Sequence, residues 1–257
     1  MNPLFKIVLS PSKSLIETSK IVYKPSVPIF KNEAAELITE LKRLESADIK
    51  SLMTVSESIA ETNYRRFQTW KQSNIDDIDH LQVISAFSGE VFKALDFESI
   101  DFESQNRASN SIFILSGLYG ILRPYDLISP YRLEMGLNFS PNKNTKNLYF
   151  FWSNKINDFF LKNLKNDELL INLASQEYIK VIDTSILRNR IVTPIFKEFK
   201  NGKFTIVAIY AKHARGAMTR YLVERKLETI EDLKLYDVDG YSFDASQSSK
   251  DEWVFIR

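Results

Sequence analysis

Lys212, Arg215 and Gly216 fall within one run of five residues, Lys212-His213-Ala214-Arg215-Gly216, a spacing suited to holding an anion on a helix. At about 100° per residue, Lys212, Arg215, Gly216, Thr219, Arg220 and Val223 share one side of that helix, read as exposed. Ala214, Ala217, Met218, Tyr221 and Leu222 take the opposite side, read as buried. Glycine inside a helix is roughly 1 kcal/mol worse than alanine, so the missing side chain at Gly216 has to serve close approach. Two things can approach: an anion held by Lys212 and Arg215, or a second helix packed on Gly216, with the bases then a solvated face. In the first turn of a helix predicted over 211–226, Lys212 opposes the helix dipole, a penalty that a docked phosphate reverses.

Two more arginines suit the same chemistry. Arg123 precedes Pro124, which disfavours helical backbone and stiffens its loop. Arg132 and Glu134 are two apart, so on extended backbone they share a face and can pair. Such a pair is commonly structural, but an arginine beside a glycine turn also holds phosphate bidentately. Ser10-Pro11-Ser12-Lys13 fits the S-x-x-K pattern of acyl-serine enzymes, but the partner S-D-N and K-T-G motifs are absent. Adjacent Glu177 and Tyr178 would not face each other on a helix, which reads Tyr178 as core. No catalytic constellation emerges.

The chain has only seven glycines in 257 residues, where average usage gives about 18. Gly202 follows Asn201 between two apolar runs and is a hairpin turn. The other six sit in dense motifs such as Phe87-Ser88-Gly89-Glu90 and Ser116-Gly117-Leu118-Tyr119-Gly120. Several of these, with Ser10-Pro11-Ser12-Lys13 and Asn172-Leu173-Ala174-Ser175-Gln176-Glu177-Tyr178, fall just past the carboxyl end of a predicted strand. Ligands of α/β sheets bind at that edge; the other reading is that glycine and serine simply form turns. The candidate phosphate- or DNA-binding set is therefore Ser10, Lys13, Ser116, Gly117, Arg123, Arg132, Lys212, Arg215, Gly216 and Arg220.

The elements that must position these residues are legible from periodicity. Strands are predicted at 5–9, 81–87, 111–115, 168–173, 191–199 and 203–210. Helices are predicted at 33–44, 47–53, 56–70, 88–95, 99–108, 148–164, 175–182 and 211–226, with Thr54 and Glu57 as a capping box. Asn138 to Asn147 reads as a surface loop, and the acidic run Asp96, Glu98, Asp101 and Glu103 as a solvated helix start. The expected fold is α/β, a mixed sheet with surrounding helices and one antiparallel hairpin, in a single domain over 1–257.

Composition bounds the function. With no cysteine and two histidines, His80 and His213, disulfide frameworks, thiol peroxidase chemistry, zinc fingers and His-rich metal sites are excluded. No cofactor or metal is expected. Thirty-four basic against 33 acidic residues give a net charge of +1, which excludes a uniformly basic nucleic-acid binder but leaves room for a local basic patch. No apolar run reaches the ~18 residues of a membrane span, so a cytoplasmic monomer without membrane contact is expected.

Five motifs taken together resemble the YaaA family of bacterial peroxide-stress resistance proteins. They are Ser10-Pro11-Ser12-Lys13, Leu115 through Pro124, Pro130-Tyr131-Arg132-Leu133-Glu134-Met135-Gly136, Ile171 through Ser175, and Tyr210 through Gly216. The resemblance runs from residue 5 to 256. It implies a cytosolic protein of the hydrogen peroxide response, a role in limiting damage by unincorporated iron, and DNA binding. It also implies an α/β fold particular to the family, with a positively charged cleft and a helix-hairpin-helix element. The counterpart of that element here is the helix pair at 47–53 and 56–70, with Tyr64, Arg65 and Arg66 near its end. Its turn, Met53-Thr54-Val55-Ser56, has no glycine to present backbone N–H groups to phosphate. Two activities are expected: non-sequence-specific DNA binding through the basic cleft, as the resemblance implies, or an enzyme acting on a nucleotide or other phosphorylated small molecule at the same basic site.

Overall fold

The computed structural model describes residues 5–18, 22–76, 79–142, 145–187, 190–225 and 227–257. Phe5–Leu9 forms β1, in which only Lys6 is not fully buried; a near-continuous apolar run of this kind suits the interior of a parallel sheet. Helices α1 (Lys31–Leu41), α2 (Ser46–Met53) and α3 (Glu57–Thr69) follow, then β2 (Leu81–Gln82), α4 (Val83–Ala86), α5 (Glu90–Leu95) and α6 (Phe102–Ser111). The middle of the chain holds β3 (Ile112–Ser116), β4 (Gly120–Leu122), β5 (Leu127–Ile128), α7 (Leu148–Asn163), β6 (Leu169–Leu173) and α8 (Gln176–Ile179). It closes with β7 (Ile191–Lys200), β8 (Lys203–Thr205), α9 (Ala208–Glu224), β9 (Ser242–Phe243) and β10 (Glu252–Ile256).

The fold is mixed α/β. The main sheet runs β4-β3-β1-β6-β7-β10-β9, with β8 added to β7. The pairs β1–β3, β1–β6, β6–β7 and β7–β10 are parallel. The pairs β3–β4, β7–β8 and β9–β10 are antiparallel. From β1 the chain crosses to β3 on one side, and from β6 it crosses to β7 on the other. The strand order therefore reverses between β1 and β6, whose ends lie level with Leu9 opposite Leu173. A crevice opens outside the carboxyl ends of two strands at such a point. Among the described residues no helix is long and apolar enough to cross a membrane.

Several local expectations give way to tertiary partners. The predicted strand at 81–87 is a strand only over Leu81–Gln82. From Val83 it turns into α4, because the Val83 and Ile84 N–H groups donate to Asp126 O and Pro124 O. The predicted strand at 203–210 ends at Thr205, and α9 begins at Ala208, three residues earlier than expected. Lys212 is thus past the first turn, and the dipole argument does not apply to it. The other end predicted for this helix, residue 226, lies outside the described residues. The helix predicted at 175–182 shrinks to four residues, Gln176–Ile179. The short strands β4, β5, β9 and the apolar β10 have no counterpart among the predicted elements.

The turn between α2 and α3 also differs. Thr54 sits in left-handed backbone at φ 51° and closes α2, so it does not cap α3. Ser56 is the cap, accepting from Ile59 N–H at 3.4 Å, and the capping box lies at the start of α2, between Glu45 and Asp48. A β-branched residue with positive φ is rare and disfavoured; Thr54 holds the backbone shape that glycine supplies more easily. The expected hairpin is formed, with Asn201 and Gly202 at φ 52° and 75° between Lys200 and Lys203. Of the predicted loop, residues 143–144 lie outside the described residues. Asn147 at its end caps α7, accepting from Phe150 N–H at 3.0 Å.

Candidate functional site

The segment after β1 turns outward at Ser10 and meets the segment after β6. Ser10 Oγ accepts from Ser175 N–H at 2.8 Å and donates to Ser175 Oγ at 3.2 Å. Asn172 shapes the β6 end: its Oδ1 accepts from Ala174 N–H, and its Nδ2 donates to Thr193 Oγ1, both at 3.1 Å. Ser10 and Ser175, joined by these bonds, border a cavity of about 480 Å³ outside the β1 and β6 ends. Lys13, Glu177, Tyr178, Lys212 and Arg215 line it, together with the hydroxyl-bearing Ser10, Ser12 and Ser88. Ser10 is occupied in tying two strand ends together, and Lys13 reaches Glu134 instead of Ser10. The serine–lysine pair is therefore not arranged as an acyl-serine nucleophile and its base.

Lys13 is held by a relay built from the glycine motifs. Its Nζ lies 3.1 Å from Glu134 Oε1, and Arg132 grips the same oxygen through Nε at 3.0 Å and Nη2 at 2.8 Å. The Arg132–Glu134 pair expected from their spacing is formed. Glu134 is buried, and its Oε2 has no hydrogen-bond partner among the described residues. The strand of chain carrying this pair is pinned from beneath by Ser116, whose Oγ bonds Tyr131 Oη at 2.7 Å and accepts from Tyr119 N–H at 3.0 Å. At Gly117 an added Cβ would stand 2.2 Å from Leu133 O, so only glycine lets the two backbones approach this closely. Ser116 and Gly117 thus lie under the site and position Arg132, Glu134 and, through them, Lys13.

The cations on α9 have a different standing. Lys212 is exposed. Arg215 is partly buried and, among the described residues, makes no side-chain hydrogen bond or ion pair; burial alone holds its guanidinium below its ordinary range. A desolvated cation without an anion is costly to keep. On the other wall, Glu177 Oε1 accepts from Gly136 N–H at 3.0 Å, and Tyr149 Oη donates to Glu177 O at 2.7 Å. Burial, with Tyr131, Glu177 and Glu134 nearby, pushes the Tyr178 hydroxyl well above its usual value, so it stays protonated as a donor. Glu177 and Tyr178 both reach the cavity because α8 is a single turn. Tyr178 belongs to the hydrophobic core, as expected, and borders the cavity from there.

Four of the candidate residues, Ser10, Lys13, Lys212 and Arg215, converge on this cavity. Arg132 stands one carboxylate behind it. Gly216 is buried: an added Cβ would be 2.1 Å from Val91 O and 2.8 Å from Ala94 Cβ, so its missing side chain admits α5. Thr219 and Val223 are buried as well, which overturns the expectation of an exposed face on that side of α9. Arg220 closes the end of α5, donating to Asp96 O at 3.2 Å and Ser99 Oγ at 2.6 Å, and it pairs with Asp96 and Glu224. Arg123 is engaged by the fully buried Asp126, through Nε at 3.1 Å and Nη2 at 2.8 Å. Ser12, Ser88 and Gly89 on the cavity wall were absent from the candidate set, although all three stand in the motifs Ser10-Pro11-Ser12-Lys13 and Phe87-Ser88-Gly89-Glu90.

A second cavity, of about 570 Å³, opens at the end of α3, lined by Glu17, Arg65, Arg66, Lys71, Asp79 and His80 among others. Its arginines are paired, Arg66 with Glu17 and Arg65 with Glu61. Of these two cavities, the one at the β1 and β6 ends holds Arg215, a partly buried cation that is unpaired among the described residues.

A family model described as "Peroxide stress protein YaaA" matches residues 5–247. A UPF0246 protein of Azoarcus sp. (strain BH72) is 42% identical over 257 residues, covering 97% of this chain and 98% of the relative. A UPF0246 protein of Marinomonas sp. (strain MWYL1) is 43% identical over 253 residues, covering 98% and 96%. One of Janthinobacterium sp. (strain Marseille) is 42% identical over 254 residues, covering 98% of each. With the family model spanning nearly the whole chain, and with it both strand ends and the Lys212–Gly216 run that frame the cavity, this protein belongs to the YaaA family of peroxide stress proteins.

Proposed function

We propose that this peroxide stress protein binds DNA without sequence preference, taking strand phosphates at the cavity outside β1 and β6, and that in the cytoplasm it limits iron-driven oxidative damage by acting at the DNA. The observation that carries the reading is Arg215, a partly buried guanidinium with no acid of its own, facing a cavity that Lys212 and Lys13 also line. Phosphate satisfies such a group with two parallel hydrogen bonds. The overall charge of +1 is consistent with a binder whose positive potential is local. Sequence preference is not expected, because contacts of this type position the strand without reading bases.

Duplex affinity measured by fluorescence anisotropy across salt concentrations tests it. Lys212→Gln and Arg215→Gln are each expected to weaken binding about 5- to 30-fold and to reduce the log–log salt slope by about 1. Unchanged affinity and slope in both variants would remove the site from DNA binding.

A further inference from the structure

We propose that the cavity outside β1 and β6 recognises a phosphomonoester, the dianionic terminal phosphate of a nucleotide or of a broken DNA strand, in preference to the internal diester. The inference rests on the reading of this cavity as the anion site and names what it prefers.

Charge is the first support. The ionisable residues on the wall are Lys13, Lys93, Lys212 and Arg215 against Glu90 and Glu177, an excess of two positive charges. Counting Glu134 and Arg132 behind the wall leaves the excess unchanged. Lys93 and Glu90 pair with each other at 3.0 Å, and Lys13 and Arg132 share the single charge of Glu134, so the excess of two is made by Lys212, Arg215 and that shared site against Glu177, whose Oε1 accepts from Gly136 N–H. A phosphomonoester carries about −1.5 to −2 at pH 7, whereas each internal phosphate carries one negative charge. The net excess of two positive charges matches the monoester.

Shape is the second. A volume of about 480 Å³ lies in the range of small-molecule sites and takes one nucleotide unit. The major groove of a duplex alone is about 12 Å wide, so a continuous double helix can only pass over the mouth. The cations also come from separate parts of the chain: Lys13 follows β1, Lys93 lies on α5, and Lys212 and Arg215 lie on α9. They line one cavity from three separate elements, not successive turns of a single helix. Donor type is the third. The forked guanidinium of Arg215 takes two oxygens, and the Ser12 hydroxyl, which accepts from Ser14 N–H and keeps its own proton, stands at the same wall for a third. Terminal phosphate has three free oxygens; a diester phosphate has two.

The test uses the full-length protein and nicked duplex oligonucleotides that differ only at the nick, carrying a terminal phosphate or a hydroxyl, with affinities read by anisotropy. The phosphate-bearing nick is expected to bind at least tenfold more tightly. Lys212→Gln, at an exposed position that does not threaten folding, and Arg215→Gln are expected to bring the ratio near one. Competition by a nucleoside monophosphate at comparable concentration points to the free nucleotide as source; discrimination without such competition points to the strand end. Equal affinity for phosphate and hydroxyl nicks overturns the proposal. If intact duplex still binds and loses affinity in the two variants, the DNA reading survives that failure. If intact duplex does not bind but the monophosphate does, the DNA reading fails and the phosphomonoester preference stands.

Discussion

Gly216→Ala is expected to destabilise the protein by about 3 kcal/mol, read as a fall in the urea midpoint at unchanged slope. Helix propensity alone predicts the opposite, a gain of roughly 1 kcal/mol, because alanine is the best helix former and glycine among the worst. The sign therefore decides what the glycine is for. An added Cβ would lie 2.1 Å from the Val91 carbonyl oxygen and 2.8 Å from Ala94 Cβ. The first of these is backbone, which cannot rotate away, so α5 must move off α9 or the helix must bend. α5 also carries Val91, Phe92 and Lys93 of the cavity wall, so the variant that remains folded is expected to bind DNA more weakly. A stabilised Gly216→Ala variant would mean that this face of α9 is open to solvent.

Asp126→Ala is expected to cost about 3 kcal/mol, the lower end of what breaking a buried ion pair does. Asp126 is fully buried. Its Oδ1 accepts from Arg123 Nε and Nη2 and from Ser26 Oγ at 2.6 Å, and its Oδ2 accepts from Arg123 N–H at 2.8 Å. Removing the carboxylate strands these donors, although Arg123 retains access to water at 37% side-chain exposure, which moderates the loss. Burial pushes the Asp126 carboxyl above its usual value, and Arg123 and Ser26 pull it back. Arg123→Gln removes the main pull, so the carboxyl rises further. A carboxyl whose folded value is raised contributes stability that is lost as pH rises through that value. The Arg123→Gln variant is thus expected to lose more stability, relative to the unsubstituted protein, near pH 8 than near pH 5, as followed by urea titration. A deficit independent of pH would mean that Asp126 is not the group left uncompensated.

The frame of the sheet was legible where apolar runs are long. Phe5–Leu9, Ile112–Ser116 and Leu169–Leu173 are largely buried strands and Ile191–Lys200 is buried at its start, and β1, β3, β6 and β7 appear within a residue of expectation. Two- and three-residue strands such as β2, β4 and β5 carry no period to detect. They exist because a neighbour offers partners, as Leu127–Ile128 does for Leu81–Gln82. The same dependence hid the burial of α9. Gly216, Thr219 and Val223 look like the exposed side of an amphipathic helix, and only the packing of α5 and the Arg107 bond to Val223 O make that side interior.

In the site, charge type was legible and pairing was not. Arg123, Arg132, Arg215 and Arg220 are equivalent in a string of letters, yet three of them face carboxylates and one does not. The two-residue spacing of Arg132 and Glu134 carried a real signal because it is local. The meeting of Arg123 with Asp126 was equally local, at three residues, and went unread because it lies in a loop without periodicity. Ser12, Ser88 and Gly89 reach the cavity through the isolated bridge of Leu15 to Phe87, a contact between segments more than seventy residues apart.

Lysine footprinting tests the central claim most directly, because it locates the bound strand on the surface without any substitution. The protein is acetylated briefly with and without a saturating duplex, and modification at each lysine is quantified by mass spectrometry. Lys13 and Lys212 are both exposed in the free protein and line the cavity, so both are predicted to become several-fold less reactive when DNA is bound. Lys162, exposed on the last turn of α7 before β6 begins, lies toward the opposite edge of the sheet and is predicted to be unaffected. Protection of other lysines while Lys13 and Lys212 react as in the free protein would contradict the assignment of the DNA site to the ends of β1 and β6.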